Sequence, residues 1–331
     1  SVTAPRKFVF PDDHGPHPDY ALEWWYFTGN LDSSEGRHFG FELTFFRIGL
    51  TSDDYERSSN WSAQQMYTAH FALTDVENDS FLFFERYSRD ALALAGAVGS
   101  PFRVWLEDWS VLSTTDSTLP IRLSAAEDNI EIDLLLNSEK GIVLNGDGGF
   151  SRKGKNPGEA SYYYSMTRMP TEGTVTLNGQ SHKVSGLSWL DREWSSSQLS
   201  DEHVGWDWFS MQLSDGRDIM YGVLRPRDEE GSAFTLGTVV EPDGTYQSLT
   251  EGEVRLEALD YWESPRGGTY PSRWRFQIPS EGLVLEITPY IEDQELDAVV
   301  RYWEGAVRIE GTAAGQPVSG KGYVELTGYA D

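Results

Sequence analysis

Two short segments concentrate the side chains best suited to chemistry: Ser188-Trp189-Leu190-Asp191-Arg192-Glu193-Trp194 and Gly205-Trp206-Asp207-Trp208-Phe209. Together they carry four tryptophans, three carboxylates and an arginine. A carboxyl held among indole rings loses hydration, so its pKa rises and it can serve as a general acid near neutral pH. Indole faces also attract a nearby cation. Asp191 and Asp207 are therefore candidate proton donors. The same residue types suit a structural role, in which the aromatics form core and Arg192 pairs with an acid to lock two halves of the chain together.

A second polar group, Asp12, Asp13, His14, His17 and Asp19, mixes imidazole and carboxylate, the ligand types zinc accepts. Interleaved proline and glycine favour a different reading, a solvated N-terminal loop whose polar groups cap the first strand. Residues 149–156 superficially follow a phosphate-binding loop. Asn156 replaces the required Ser or Thr, however, and Pro157 blocks the helix that would hold the phosphate. Neither a Gly-x-Ser-x-Gly elbow nor His-Glu-x-x-His occurs, and the absence of cysteine excludes disulfide and thiol chemistry. No metal or cofactor is expected.

Alternating, aromatic-rich segments predict strands at Phe39–Phe46, Met66–Leu73, Ser80–Tyr87, Ile130–Leu136, Thr174–Leu177, Ile219–Leu224, Trp274–Ile278, Leu283–Thr288 and Ala306–Glu310. Turn signals between them, such as Ser34-Glu35-Gly36, Asn178-Gly179, Asp215-Gly216 and Pro242-Asp243-Gly244, suit hairpins. The fair candidate for a helix is Asp90–Val98. Many short strands at near-regular spacing predict an all-β protein of barrels or sandwiches.

The chain also resembles itself. Glu23-Trp24-Trp25-Tyr26, Leu31 and Gly36-Arg37 parallel Asp207-Trp208-Phe209, Leu213 and Gly216-Arg217, with Trp25 set against Trp208. Gly173 to Gly179, then Val184-Ser185-Gly186, Trp189 and Asp191, parallel Gly305 to Gly311, then Val318-Ser319-Gly320, Tyr323 and Glu325. The duplication predicts two related barrels, residues 1–195 and 196–331, each large enough for an apolar ligand, with Trp189 superposing on Tyr323 and Asp191 on Glu325. The first half is longer, and its insertions are expected in loops near 51–62 and 87–116. Adjacent strand residues face opposite ways, so one of Trp24 and Trp25 should line a barrel interior.

The 331 residues give roughly two domains. A net charge of −27 and a pI near 4.5 disfavour nucleic acid and anionic membrane surfaces as partners. The longest apolar stretch, Ala91 to Val98, is far short of the ~20 residues that span a bilayer, so no integral membrane segment is expected. An exported protein, periplasmic or secreted, whose signal peptide has been removed is consistent with the acidity and with a chain opening at Ser1. Oligomeric state is left open.

Glu23-Trp24-Trp25-Tyr26-Phe27-Thr28-Gly29, Tyr162-Tyr163-Tyr164-Ser165, Gly186 to Trp194, Gly205 to Phe209 and Gly322 to Tyr329 resemble the AttH-like and carotenoid 1,2-hydratase (hydroxyneurosporene synthase) family over nearly the whole chain. The resemblance implies a pair of lipocalin-like, calycin-type β-barrels with a ligand site near their junction. In the hydratase branch it implies an acid, a histidine, a tryptophan and a tyrosine that add water to a terminal isoprenoid double bond. These fall on Asp191, Arg192, Trp194 and Tyr221, so arginine stands where histidine is expected, and arginine cannot cycle a proton at neutral pH.

The leading expectation is a two-barrel protein that binds a hydrophobic small molecule, a lipid or isoprenoid, through Trp24, Trp25, Tyr164, Trp194, Trp206 and Trp208. An enzymatic alternative places acid catalysis on an isoprenoid or lipid in the same pocket, as a hydratase or another lyase or hydrolase. Asp191 or Asp207 donates the proton, Tyr221 positions water and the tryptophans face the cation. A surface attachment or scaffold protein is the third. Arg192 is expected to clamp the two barrels through Asp191, Glu193 or Asp207.

Overall fold

The structure, a computed structural model, describes residues 1–50, 65–196, 202–228, 231 and 233–330. Among these no α-helix forms, and two antiparallel sheets satisfy the backbone. The first contains β1 (Leu22–Ser33), β2 (His38–Gly49), β3 (Gln65–Asp75), β4 (Ser80–Arg89), β5 (Ala95–Gly99), β6 (Phe102–Leu106), β7 (Trp109–Ser113), β8 (Ile121–Glu127), β9 (Ile130–Leu136), β10 (Val143–Leu144), β11 (Phe150–Arg152), β12 (Ala160–Leu177) and β13 (Gln180–Ser195). The second contains β14 (His203–Leu213), β15 (Asp218–Pro226), β16 (Phe234–Val240), β17 (Tyr246–Leu249), β18 (Arg255–Glu263), β19 (Thr269–Ile278), β20 (Leu283–Pro289), β21 (Glu295–Leu296), β22 (Tyr302–Ala313) and β23 (Gln316–Thr327). Every segment predicted as a strand is one.

Strand order reveals the duplication. The first sheet runs β4-β3-β2-β1-β13-β12-β9-β8-β7-β6-β5 and the second β17-β16-β15-β14-β23-β22-β20-β19-β18, with β10 on β12 matched by β21 on β22. The first nine positions correspond one to one. Asp191 pairs with Tyr26 and Glu325 with Trp208, while Trp189 pairs with Thr28 and Tyr323 with Ser210. Trp189 thus takes the place of Tyr323, and Asp191 that of Glu325. The register corrects the rest of the alignment. Tyr26, not Trp25, is the counterpart of Trp208, and Gly173, paired with Val184, answers to Gly311, paired with Val318.

The insertion near 87–116 is not loop but two additional strands, β5 and β6, that extend the sheet; the insertion near 51–62 lies outside the described residues. The helix predicted at Asp90–Val98 is likewise replaced by a 3-10 turn, Ala91–Ala93, running into β5. Leu92 and Ala93 have φ of 56° and 57°, which breaks helical continuity. Pairing with β6 offers the backbone a partner that an isolated short helix, with its unfavourable nucleus, lacks. No helix among the described residues is long and apolar enough to cross a membrane.

Each sheet curls over its own core. In the first, Trp25, Phe27, Phe41, Leu43, Phe71 and Leu134 point inward; in the second, Phe209, Trp274, Phe276, Ile287 and Val324 do. Trp25 is fully buried there, while its neighbour Trp24 faces outward and packs on a third cluster. That cluster, Tyr26, Tyr163 and Trp189 with Trp208, Met220, Ala306 and Tyr323, consists of outward-facing residues from both sheets. The barrels therefore pack back to back. Small residues set the spacing, since a Cβ on Gly40 would stand 2.5 Å from Ala306 Cβ. At one end of the junction Asp218 is fixed by Lys140 and Arg168, both at 2.7 Å, and by Thr167 at 2.9 Å.

If this contact holds the barrels together, Gly40→Leu should wedge them apart and cost about 1–3 kcal/mol or more, as overpacking does. Chemical denaturation measures it, and a variant as stable as the parent would refute the close approach.

Candidate functional site

Because side chains alternate along a strand, the same strands that send Phe41, Leu190 and Val324 into barrel cores send Glu42, Asp191, Glu193, Glu304 and Glu325 outward. The opposing barrel then covers them. Glu42, Glu304, Asp191 and Glu193 are buried, and Glu325 alone keeps partial exposure. Glu304 and Glu325 are cross-strand neighbours on β22 and β23. Tyr26 bridges the barrels, donating its hydroxyl hydrogen to Glu304. Thr44 donates to Glu42 (2.8 Å), and Ser165 and Trp189 donate to Asp191 at 2.5 and 2.9 Å. His70 lies 2.6 Å from the Tyr302 hydroxyl and 3.0 Å from Glu85.

Positive charge is scarce here. Lys153 pairs with Glu193 at 2.7 Å. Burial, the largest cause, pushes Asp191 up to about 7 against the hydrogen bonds from Ser165 and Trp189. Burial likewise takes Glu325 to about 8; a hydrogen bond from Trp206 opposes this, and the charges of Glu42, Asp191 and Glu193 reinforce it. Glu304 is held well above the usual carboxylate range by burial and then by Glu42 and Glu325. Burial also keeps Tyr26, Tyr163, Tyr302 and Tyr323 protonated. The site is thus a store of carboxyl protons walled by Trp189, Trp208 and tyrosines. At its margin stand three aromatics that are not fully buried, Trp24, its cross-strand neighbour Phe46, and Trp206.

Of the residues singled out in the sequence, Asp191, Trp24, Trp206 and Trp208 belong to this junction. Asp207 and Tyr221 do not. They face the interior of the second barrel and share a cleft of about 420 Å³. Asp207 lies 2.9 Å from Arg225 Nε and accepts from the Tyr329 hydroxyl at 3.0 and 2.9 Å, while burial raises its pKa to about 6. The anticipated single constellation is therefore two sites, on opposite faces of β14.

Trp25, Tyr164 and Trp194 surround Arg192 at the end of the first barrel, where residues 2–20 fold over them. Trp25 Nε1 donates to His14 O (2.9 Å), Tyr164 Oη lies 2.5 Å from His14 Nδ1, and Trp194 stacks on His17 at 3.8 Å between ring centres. The predicted clamp needs correction. Arg192 points into the first barrel, away from Asp191 and Glu193, because its position on β13 alternates with theirs, and away from Asp207, which faces the interior of the second barrel. It pairs with Glu23 and donates to Gly15 O at 2.5 Å, with its guanidinium 4.0 Å from the Trp25 ring centre. It clamps the N-terminal segment, not the two barrels. That segment is also not a solvated loop, since Asp13 and His14 are buried. Among the described residues no group of three or more His, Asp or Glu side chains is arranged to hold a metal ion.

Sequence reasoning missed Glu42, His70, Tyr302 and Glu304 because each reads as an ordinary solvent-facing residue on a half-buried strand. The signal available was the pairing of Asp191 with Glu325 across the duplication, two acids at the same outward position.

Arg192→Ala should cost about 3–5 kcal/mol in a urea melt, the usual penalty for leaving a buried partner unpaired; a loss under 1 kcal/mol would remove the clamp. The junction acids predict a pH dependence of opposite sign to that of Glu23, which its arginines hold down at about 2 despite burial. Glu23 contributes stability above its unfolded pKa of 4.5 that disappears as pH falls through 2. Asp191 and Glu325 bind protons more tightly when folded. Their contribution is complete below about pH 4 and is lost as pH rises through 7 and 8, at most about 4–5 kcal/mol each at roughly 1.4 kcal/mol per pH unit. Denaturation between pH 5 and 9 should show this decline, flattened in Asp191→Asn and Glu325→Gln; identical slopes in parent and variants would contradict it.

The whole fold is shared with solved structures. An AttH-type protein of Nitrosomonas europaea is 34% identical with a TM-score of 0.88, the match covering 99% of each chain. Kievitone hydratase of Nectria haematococca is 17% identical with a TM-score of 0.77, covering 98% of this chain and 93% of its own. CghA is 13% identical with a TM-score of 0.55, over 96% and 94%. No curated protein sequence matches significantly. The AttH-like family model matches residues 1–329, nearly every position that builds both barrels and their junction, and the chain belongs to the AttH-like family.

Proposed function

We propose that the junction binds a hydrophobic alkene of isoprenoid or lipid type and hydrates it by acid catalysis. The observation that carries this reading is Glu325, a carboxyl that holds its proton to about pH 8, keeps partial exposure and accepts a hydrogen bond from the half-exposed Trp206. A proton donor at neutral pH beside an aromatic surface is what alkene hydration requires. That the same fold carries a protein named a hydratase supports the reading.

In this scheme Glu325 protonates one alkene carbon, forming a C–H bond and leaving positive charge on the other. Trp208, Trp206 and Trp24 face that charge with their ring quadrupoles, and the fresh carboxylate stabilises it. Water adds to the cation, and its surplus proton passes to Asp191, whose lower pKa of about 7 leaves it ionised part of the time. Asp191 and Glu325 feel each other's charge, so the proton returns to Glu325 and the cycle closes as alkene plus water giving alcohol. Two neighbouring acids with separated pKa values are the arrangement acid–base catalysis uses. Burial of the apolar chain contributes roughly 0.8 kcal/mol per methylene.

Incubation with acyclic isoprenoid alkenes in heavy water tests this, with deuterium in the alcohol read by mass spectrometry. Turnover should fall as pH rises through 8. Glu325→Gln should lower it ~10²–10⁴-fold without loss of melting temperature, because the neutral amide replaces a carboxyl that is already uncharged below about pH 8. Glu325→Gln as active as the parent would refute the assignment.

A further inference from the structure

The duplication allows the two barrel interiors to be compared residue by residue. Since Tyr26 answers to Trp208, Trp25 answers to Asp207 and Glu23 to Gly205. Arg47 pairs with Glu23 and Arg225 with Gly205, so the two arginines occupy the same place. In the first barrel this end is closed by the chain itself. Arg47 donates to the carbonyls of His17 and Tyr20 at 2.8 and 2.6 Å, Trp25 to that of His14, and Phe8, Phe10 and Val2 pack beside them. Among the described residues the second barrel has no counterpart to this segment. At the matching end lies the 420 Å³ cleft, with Val223, Leu256 and Trp274 on its walls and Asp207, Arg225 and Tyr329 at its polar end.

We propose that the second barrel's interior is a binding site for an uncharged amphiphile, a small molecule with an apolar body and one hydrogen-bonding end. Three observations carry it. The volume falls within the ~300–1,000 Å³ of small-molecule sites, and like them it joins apolar walls to a few polar groups. The polar end is charge-balanced, because Arg225 lies 2.9 Å from Asp207 and its guanidinium stacks 3.6 Å from the Tyr329 ring centre. A carboxylate entering there would meet Asp207 and an ammonium would meet Arg225, whereas a neutral group meets both an acceptor and a donor. The equivalent Arg47 of the first barrel is likewise balanced by one carboxylate, Glu23, and gives its remaining hydrogens to neutral oxygens, among them carbonyls of a segment rich in aromatic side chains. Asp207 and Trp208 point to opposite faces of β14, so this site is independent of the junction.

Titration of the full chain with N-phenyl-1-naphthylamine, an uncharged aromatic amine whose fluorescence rises in apolar surroundings, tests the proposal. Saturable one-to-one binding is expected. Ala258→Trp and Val254→Trp, at two wall positions, should each weaken it at least tenfold, with folding of both checked by circular dichroism. The anionic probe 1-anilinonaphthalene-8-sulfonate should bind at least tenfold more weakly. Absence of saturable binding, unchanged affinity in whichever wall variants fold, or equal affinity for the anion would each overturn the assignment.

Discussion

Two curved sheets that each complete a core of their own still bury their outer faces against one another, and the chemistry of the molecule follows from that contact. A barrel exterior is where a β protein places its carboxylates, because alternation delivers every second side chain to solvent. Covering those positions removes the water that would keep Glu42, Asp191, Glu304 and Glu325 ionised. At one end of the junction Lys140 and Arg168 balance Asp218. At the other end protons do that work, since Lys153 reaches only Glu193.

The duplicated scaffold also shows how one fold is put to different uses at equivalent places. Where the first barrel sets Trp25 under a cap made by residues 2–20, the second sets Asp207 under Arg225 and Tyr329. The arginine of β2 and that of β15 are retained at the same register. Glu23 and Arg192, which hold the cap, have Gly205 and Leu326 as counterparts, so neither charge recurs in the second barrel, where the described residues form no cap. Closure and opening of the two interiors therefore depend on a handful of positions.

Much of the architecture was legible in the sequence because strand periodicity and turn chemistry are local. The hairpin at Asn178-Gly179 and the inward face of β2 are examples. The Asp191 and Glu325 equivalence was legible as well, since both end a Val-Ser-Gly strand at the same spacing. Long-range pairing was not. Nothing local distinguishes Glu42, on an alternating strand, from a solvated glutamate, and nothing near Arg192 names Glu23, 169 residues away, as its partner. Neighbouring acids in the chain misled instead, because residues adjacent on a strand point to opposite faces.

Carboxyl groups at the junction keep their protons at neutral pH because the barrels cover them. Infrared spectroscopy in heavy water reads this directly, since a protonated carboxyl and a carboxylate absorb at separate frequencies. At pH 7 a protonated band is predicted that weakens in Glu304→Gln and Glu325→Gln and titrates away only as the pH passes 8. A spectrum in which every Asp and Glu is ionised at pH 7 would contradict the account.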